Sequence, residues 1–245
     1  MYAALHVFTD EIVFIQCSDY RGPVTSVTEY IKKPTFPTLV QRFLYHQLSS
    51  DSGLDANASS SSEASSAQRL PIFDKKLFLH SSASSVFFAP SDPCGIHGLR
   101  QEQIRSVWSW RGGSSRQDVV LVNTGEGGNK DLPISGYTVA RVLLLFSFEY
   151  AGENFPMALV WWYILSDDAG CRDEATGMWL VEREYRDEEP LLAVVHVDTI
   201  FRAVHLLPFF GQERVPQRFS HSDTLDTYGM FYVNKFADHH SFETL

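Results

Sequence analysis

"YTVARVLLLFSFEYAGENFPMALVWWYIL", residues 137–165, decides the fold. It holds two segments, 137–150 and 155–165, rich in Val, Leu, Phe, Trp and Tyr and parted by Ala151-Gly152-Glu153-Asn154, the composition of strands joined by a short turn. Arg141 interrupts the run "VARVLLLFSF", which is of strand length and well short of the ~18 apolar residues that a bilayer-spanning helix needs. Three segments of the same kind follow: "GMWLVEREY" (177–185), "LLAVVHV" (191–197) and "HLLPFF" (205–210). Between the last two, Asp198 to Arg202 is too short for more than a single helical turn. Five such segments separated by Gly, Asp, Asn and Glu turns predict an α+β chain whose core, from Asp118 to Gly211, is a small, strongly curved antiparallel β-barrel.

Working outward, "DVVLVN" (118–123) reads as one more strand, closed by "TGEGGNK", and "KKLFLH" (75–80) and "SSVFFAP" (84–90) as short strands. "LRQEQIRSVWS" (99–109) reads as a short helix or turn. In "TFPTLVQRFLYHQL" (35–48), Phe36, Leu39, Val40, Phe43, Leu44 and Leu48 fall on one helical stripe, with Pro37 tolerated in the first turn. "MYAALHVFTDEIVFIQC" (1–17) lacks the basic start of a signal peptide and carries Asp10 and Glu11 inside its apolar stretch, so it reads as a strand. "SSDSGLDANASSSSEASSAQ" (49–68) has too little apolar surface to offset the entropy of ordering and is expected to be disordered. Near the C-terminus, "SDTLDTYGMFYVNKFADHH" (222–240) places Leu225, Tyr228, Tyr232 and Phe236 on one helical face, with Ser222 as N-cap. The chain therefore divides into a strand and amphipathic helix (1–48), a Ser-rich insert (49–68), a connector (69–117), the barrel (118–211) and a C-terminal helical region (212–245).

The formal charge of −10, from 30 acidic against 20 basic residues, opposes wrapping in nucleic acid and restricts any DNA contact to a local patch. Cys17, Cys94 and Cys171 are odd in number and far apart, which fits neither a disulfide framework nor a zinc module and points to a reducing, intracellular compartment.

No constellation names a reaction. Cys94 and His97 in "PCGIHG" are half a zinc site at most and read better as a structural loop. Asp238-His239-His240, approached by His221 and Asp223, suits a divalent metal in residue type, yet adjacent residues on a helix point apart. "NTGEGGNK" lacks the phosphate-loop pattern and is followed by Pro133 rather than a helix. G-x-S-x-G and a helix-opening G-x-G-x-x-G are absent. Asp167-Asp168 and "RDEEP" sit in turns and read as solvated acids. Neither a catalytic residue, a metal site nor a cofactor is assigned. The best candidate is the stretch from Phe87 to Gly113 and just beyond, where Arg100, Arg105, Arg111 and Arg116 accompany Trp108 and Trp110. Arginine beside aromatics suits phosphate contact with base stacking, and equally suits guanidinium stacking that staples a loop to a core.

The blocks at 86–122, 139–163, 196–211 ("HVDTIFRAVHLLPFFG") and 219–243 ("FSHSDTLDTYGMFYVNKFADHHSFE") resemble, in order, the C-terminal region of fungal Plavaka-type DNA transposases of the Kyakuja-Dileera-Zisupton group. The resemblance extends from about Pro34 to the end. It implies an accessory region detached from the zinc finger and acidic nuclease of such proteins, and no catalytic residue carries over. More weakly, "ARVLLLFSF", "ALVWWYI" and "VVHVDTIFRAVHLLP" resemble a bromo-adjacent-homology (BAH) barrel, a chromatin-associated interaction fold. That likeness implies a barrel in which Trp161, Trp162 and Trp179 share one sheet, most filling the core and an exposed one available to a peptide.

The expectation is thus a non-enzymatic, intracellular and more nuclear than cytoplasmic interaction module, with a protein partner that is chromatin-associated by analogy and no membrane. Its alternatives are a DNA-binding accessory surface through Arg100, Arg105, Arg111, Arg116 and Trp110, a metal-dependent enzyme, and an inert transposon relic.

Overall fold

A computed structural model describes residues 11–51, 70–92, 97–124, 134, 136–166, 172–211, 215 and 220–245. The Ser-rich insert from residue 52 onward, Cys94, Cys171, Asp167-Asp168 and all but the first residue of "TGEGGNK" lie outside the described residues, as do residues 1–10.

The chain opens with strand β1 (Glu11–Pro23) and helices α1 (Val24–Ile31) and α2 (Phe36–Asp51). Then come β2 (Lys76–Phe88), β3 (Leu99–Val107), β4 (Arg116–Gln117), β5 (Val119–Asn123), β6 (Tyr137–Tyr150) and β7 (Glu153–Leu165). The remainder holds β8 (Trp179–Arg183), β9 (Tyr185–Arg186), β10 (Glu189–Pro190), β11 (Leu192–His196), β12 (Ile200–Ala203) and β13 (Leu206–Pro208). It closes with α3 (Thr224–Thr227), β14 (Met230–Val233) and α4 (His239–Thr244). The helical turn expected near Asp198 is a 3₁₀ turn over Val197–Thr199.

The closed barrel expected over Asp118–Gly211 does not form. Twelve of the strands make one open antiparallel sheet, in the order β13-β14-β8-β7-β6-β2-β3-β4, with β1 added on β2, β11 on β7, and β5 and β12 branching from β6. The reason lies in strand length. β6 and β7, of 14 and 13 residues, are long enough to take different neighbours along one edge. β6 pairs with β7 on one side and with both β5 and β2 on the other, while β7 carries β6 opposite β11 and β8. The sheet branches instead of curling closed, and β1, β2 and β3, all from before Asp118, belong to it.

Two further expectations are corrected. "LRQEQIRSVWS" forms strand β3 rather than a helix or turn, because the edge of β2 supplies what its polar residues lack: Gln101 and Gln103 donate to the Ser84 and Ser82 hydroxyls at 2.7 and 2.9 Å, and Ile104 is buried. The C-terminal helix stops at Thr227, and beyond Gly229 the residues "MFYV" become β14, with Phe231 and Val233 inward on a period of two between β13 and β8. Ser222 caps nothing; its hydroxyl bonds Ser220 and Asp223.

Helix α2 buries Phe36, Val40 and Leu44, one per turn, and α1 buries Val24, Val27 and Ile31. Both helices pack on Leu144, Phe146, Phe148, Met157 and Leu159 of the β6–β7 hairpin. At ~1.5–3 kcal/mol for each large side chain buried, this layer is a major contribution to stability. On the other face Ala140, Val142, Leu145, Ala158 and Val160 pack with Ile12, Ile104 and Ile200. A bulge between Val142 and Leu144 changes the alternation of β6, so that Arg141, Leu143, Leu144 and Phe146 all serve the helix-side face. That bulge positions the site.

Candidate functional site

The β3–β4 connection is built as a tight hairpin. Trp110 O accepts from Gly113 N–H at 2.9 Å, and Arg111 and Gly112 have φ of 53° and 76°, the signs of a type I′ turn. Trp110 N–H donates to Ser114 O at 3.0 Å, and Ser109 Oγ donates to Gly113 O at 3.0 Å. The guanidinium carbons of Arg105, Arg111 and Arg116 lie 4.7, 5.3 and 5.5 Å from the Trp110 ring centroid. Asp118 is the carboxylate beside Arg105 and Arg116: its oxygens accept from Arg116 Nε at 2.8 Å and from the Arg105 backbone N–H at 2.9 Å. Burial, with Arg116 adjacent, pushes the Arg105 guanidinium below its usual pKa. Arg111 is exposed and makes no ion pair or hydrogen bond among the described residues. Three guanidiniums against one carboxylate leave a positive hairpin on an acidic chain.

Arg100 is not part of this group. It pairs with Asp92 and lies 3.7 Å from Asp238, in a separate internal cluster around Arg202. Arg202, 3% exposed, donates to Asp238 Oδ2 and Oδ1 at 2.6 and 3.2 Å, contacts His240 Nδ1 at 2.9 Å, stands 3.7 Å from Glu102, and lies over the Phe87 ring at 4.8 Å. His240 stacks on Phe87 at 4.9 Å. Burial raises the Glu102 pKa against the pull of Arg202. For Asp238 burial acts in the same upward direction, but the hydrogen bonds and charge of Arg202 and the Ser241 N–H prevail and hold its carboxyl far below the usual range. Asp238 and His240 thus meet around a guanidinium, which ties α4 to β12 and β3. Among the described residues no group of three or more His, Cys, Asp or Glu is placed to hold a metal ion. His97 is exposed.

The three sheet tryptophans go to three different places. Trp162 packs into the core with Ala140 and Val160. Trp179 donates from Nε1 to Leu245 O at 3.0 Å under the Arg172 guanidinium, 4.0 Å from its ring. Trp161, 9% exposed, donates to Glu184 O at 2.9 Å and is flanked by Arg183 and Lys33. None of them stands out as a free aromatic platform.

The exposed aromatics lie elsewhere. Tyr20 stacks on Tyr30 at 5.7 Å, and Tyr30 meets Trp108, 46% exposed, edge-on at 5.6 Å. On one side of Trp108 a cleft of about 270 Å³ runs past Tyr20, Tyr30 and His80. Burial lowers the His80 pKa to about 4; its ring stacks on Phe14 at 3.9 Å and contacts Ser147 Oγ at 2.9 Å. A second cleft that Trp108 also lines, about 240 Å³, has Ile31, Leu143, Leu159 and Trp161 in its wall and Lys33, Arg141 and Asp226 as charges. Arg141 and Trp161 are direct cross-strand partners beside the bulge. The sequence signal for this second cleft was Arg141 itself, a lone charge in an apolar strand; nothing in the order of residues linked it to Lys33, Trp108 or Asp226.

Among the described residues no helix is long and apolar enough to cross a membrane. Comparison with protein-family models, with curated proteins and with solved structures returned no match.

Proposed function

We propose that the chain is a non-enzymatic interaction module, derived from a transposase C-terminal region, that holds a protein partner on the β3–β4 hairpin and the aromatic ridge beside it. The expectation of a chromatin-associated partner rests on the likeness to a BAH barrel, and the open, branched sheet withdraws that support. The observation that carries the reading is the ridge: Tyr20, Tyr30 and Trp108 are 37%, 48% and 46% exposed, touch one another, and adjoin a positive hairpin on a chain of net charge −10. Contiguous exposed aromatics rimmed by charge are costly to leave in water and mark contact surfaces.

A second reading, contact with DNA, is favoured by the gathering of Arg105, Arg111 and Arg116 about Trp110, cations beside a ring on which bases stack. Fluorescence anisotropy separates the two. Labelled acidic and basic peptides, oligo-dT and duplex DNA are titrated at rising salt against the protein and its Arg111→Glu/Arg116→Glu variant. Peptide binding that the variant loses supports the protein-binding reading. DNA binding that falls steeply with salt and vanishes in the variant replaces it with the second. Binding of neither defeats both.

A further inference from the structure

We propose that the cleft lined by Trp108 and Trp161 is a recognition pocket for a large apolar side chain carried on an acidic peptide segment. This rests on the protein-binding reading and gives its partner a chemistry. The lining is apolar at Ile31, Leu143 and Leu159, and 240 Å³ is below the ~300 Å³ at which small-molecule pockets begin, so it fits one bulky side chain rather than a cofactor. The charges at its edge are Lys33, Arg141 and Asp226.

Arg141 is 6% exposed, and both of its terminal nitrogens reach Asp226, at 2.5 and 3.3 Å, while its buried Nε has no hydrogen-bond partner among the described residues. Lys33 has no carboxylate partner among the described residues. Two cations against one carboxylate leave the cleft one positive charge in excess. Asp226 itself, with its side chain 59% exposed, shows where an incoming carboxylate sits: it is a resident acid from α3 placed on the Arg141 guanidinium. Ser115 and Gln117 line the cleft, so alternation along residues 115–117 turns Arg116, with Arg105 and the Trp110 ring they share, to the opposite face of the β3–β4 ribbon, and the positive excess at the cleft is that of Lys33 and Arg141 against Asp226. The net charge of −10 works against non-specific association of an acidic peptide with the rest of the chain.

The test uses the full chain and fluorescein-labelled peptides with a central Phe or Ala, flanked by Glu or by Lys, with oligo-dT alongside. The Glu-flanked Phe peptide binds best, and replacing its Phe by Ala costs at least about tenfold in affinity, as expected of a pocket anchor. Trp108→Ala, at an exposed position that leaves the core intact, removes that Phe-over-Ala preference. Lys33→Glu weakens Glu-flanked peptides. Asp226→Asn strengthens them, since it withdraws the competing carboxylate; a merely structural Asp226 gives no such gain. Equal affinity for the Phe and Ala peptides overturns the pocket, and if Arg111→Glu/Arg116→Glu still abolishes binding the interaction module survives without it. Preference for Lys-flanked peptides overturns the charge assignment. Binding of oligo-dT alone, or of no probe, overturns both readings.

Discussion

Arg202 and Arg111 carry the same side chain to opposite fates. Arg202 is enclosed by Asp238, Glu102, His240 and Phe87, with Arg100 and Asp92 completing the cluster, and its guanidinium faces a surplus of carboxylates. Arg111 stands on a hairpin over the Trp110 ring, without an ion-pair partner among the described residues, beside guanidiniums that outnumber their one acid. The first region is saturated and holds elements together; the second has unspent charge and is available to a partner. Residue type does not separate them. What separates them is the count of opposite charges within reach, which is a property of the tertiary structure.

The largest effect expected from this contrast is on stability at Arg202. Arg202→Ala strips Asp238 and Glu102 of their nearest cation and leaves only Arg100, 3.7 Å from Asp238, to offset them; a broken buried pair of this kind costs about 3–5 kcal/mol. Urea unfolding measures it, and a loss under about 1 kcal/mol would mean that the cluster is decorative.

Acid sensitivity comes next. The folded-state pKa of His80 is lowered to about 4 from 6.5, so its contribution to stability is fully present above pH 6.5 and is lost as pH falls toward 4. Discounted for the solvent that reaches a partly exposed ring, this amounts to about 1–2 kcal/mol. Burial lowers His240 in the same direction. The unfolding midpoint of His80→Gln should therefore decline less than that of the wild type between pH 7 and 4; parallel declines would locate the acid response elsewhere.

Trp110→Ala removes the ring that three guanidiniums share, at about 0.5–1 kcal/mol for an exposed cation–π contact. Faster amide hydrogen exchange at residues 108–116, with exchange in β6 and β7 unchanged, is the expected signature. Smallest of all, Arg111→Ala changes stability by less than about 0.5 kcal/mol while weakening an acidic ligand. If it destabilises the fold as Arg202→Ala does, the two regions are not different in kind.

The strands of the second half could be read from their Val, Leu, Phe and Trp content, and α2 from the spacing of Phe36, Val40 and Leu44. β3 could not, since Gln, Glu and Arg favour a strand only when a neighbouring edge pairs with them, and Ser82 and Ser84 lie on another strand. β14 was hidden for a related reason: Leu225, Tyr228, Tyr232 and Phe236 do fit a helical face, but burial selected Phe231 and Val233, and Phe236 is left exposed. Of the candidate site, the Arg105, Arg111, Arg116 and Trp110 grouping was visible because its members lie within one hairpin. The exclusion of Arg100, which sits a few residues upstream on the same strand, was not.

By itself, then, the sequence determined the strand-rich character of the second half, the amphipathic helix before the Ser-rich insert and the local concentration of arginine and tryptophan, because each depends on residues near one another in the chain. The tertiary structure alone decided that the sheet stays open and branched, that Asp238 and His240 surround a guanidinium, and that Trp108, Trp161, Lys33 and Arg141 line one cleft. Those outcomes depend on which strand edges meet and on where a single bulge in β6 turns its side chains, and both are settled by contacts between residues far apart in the chain.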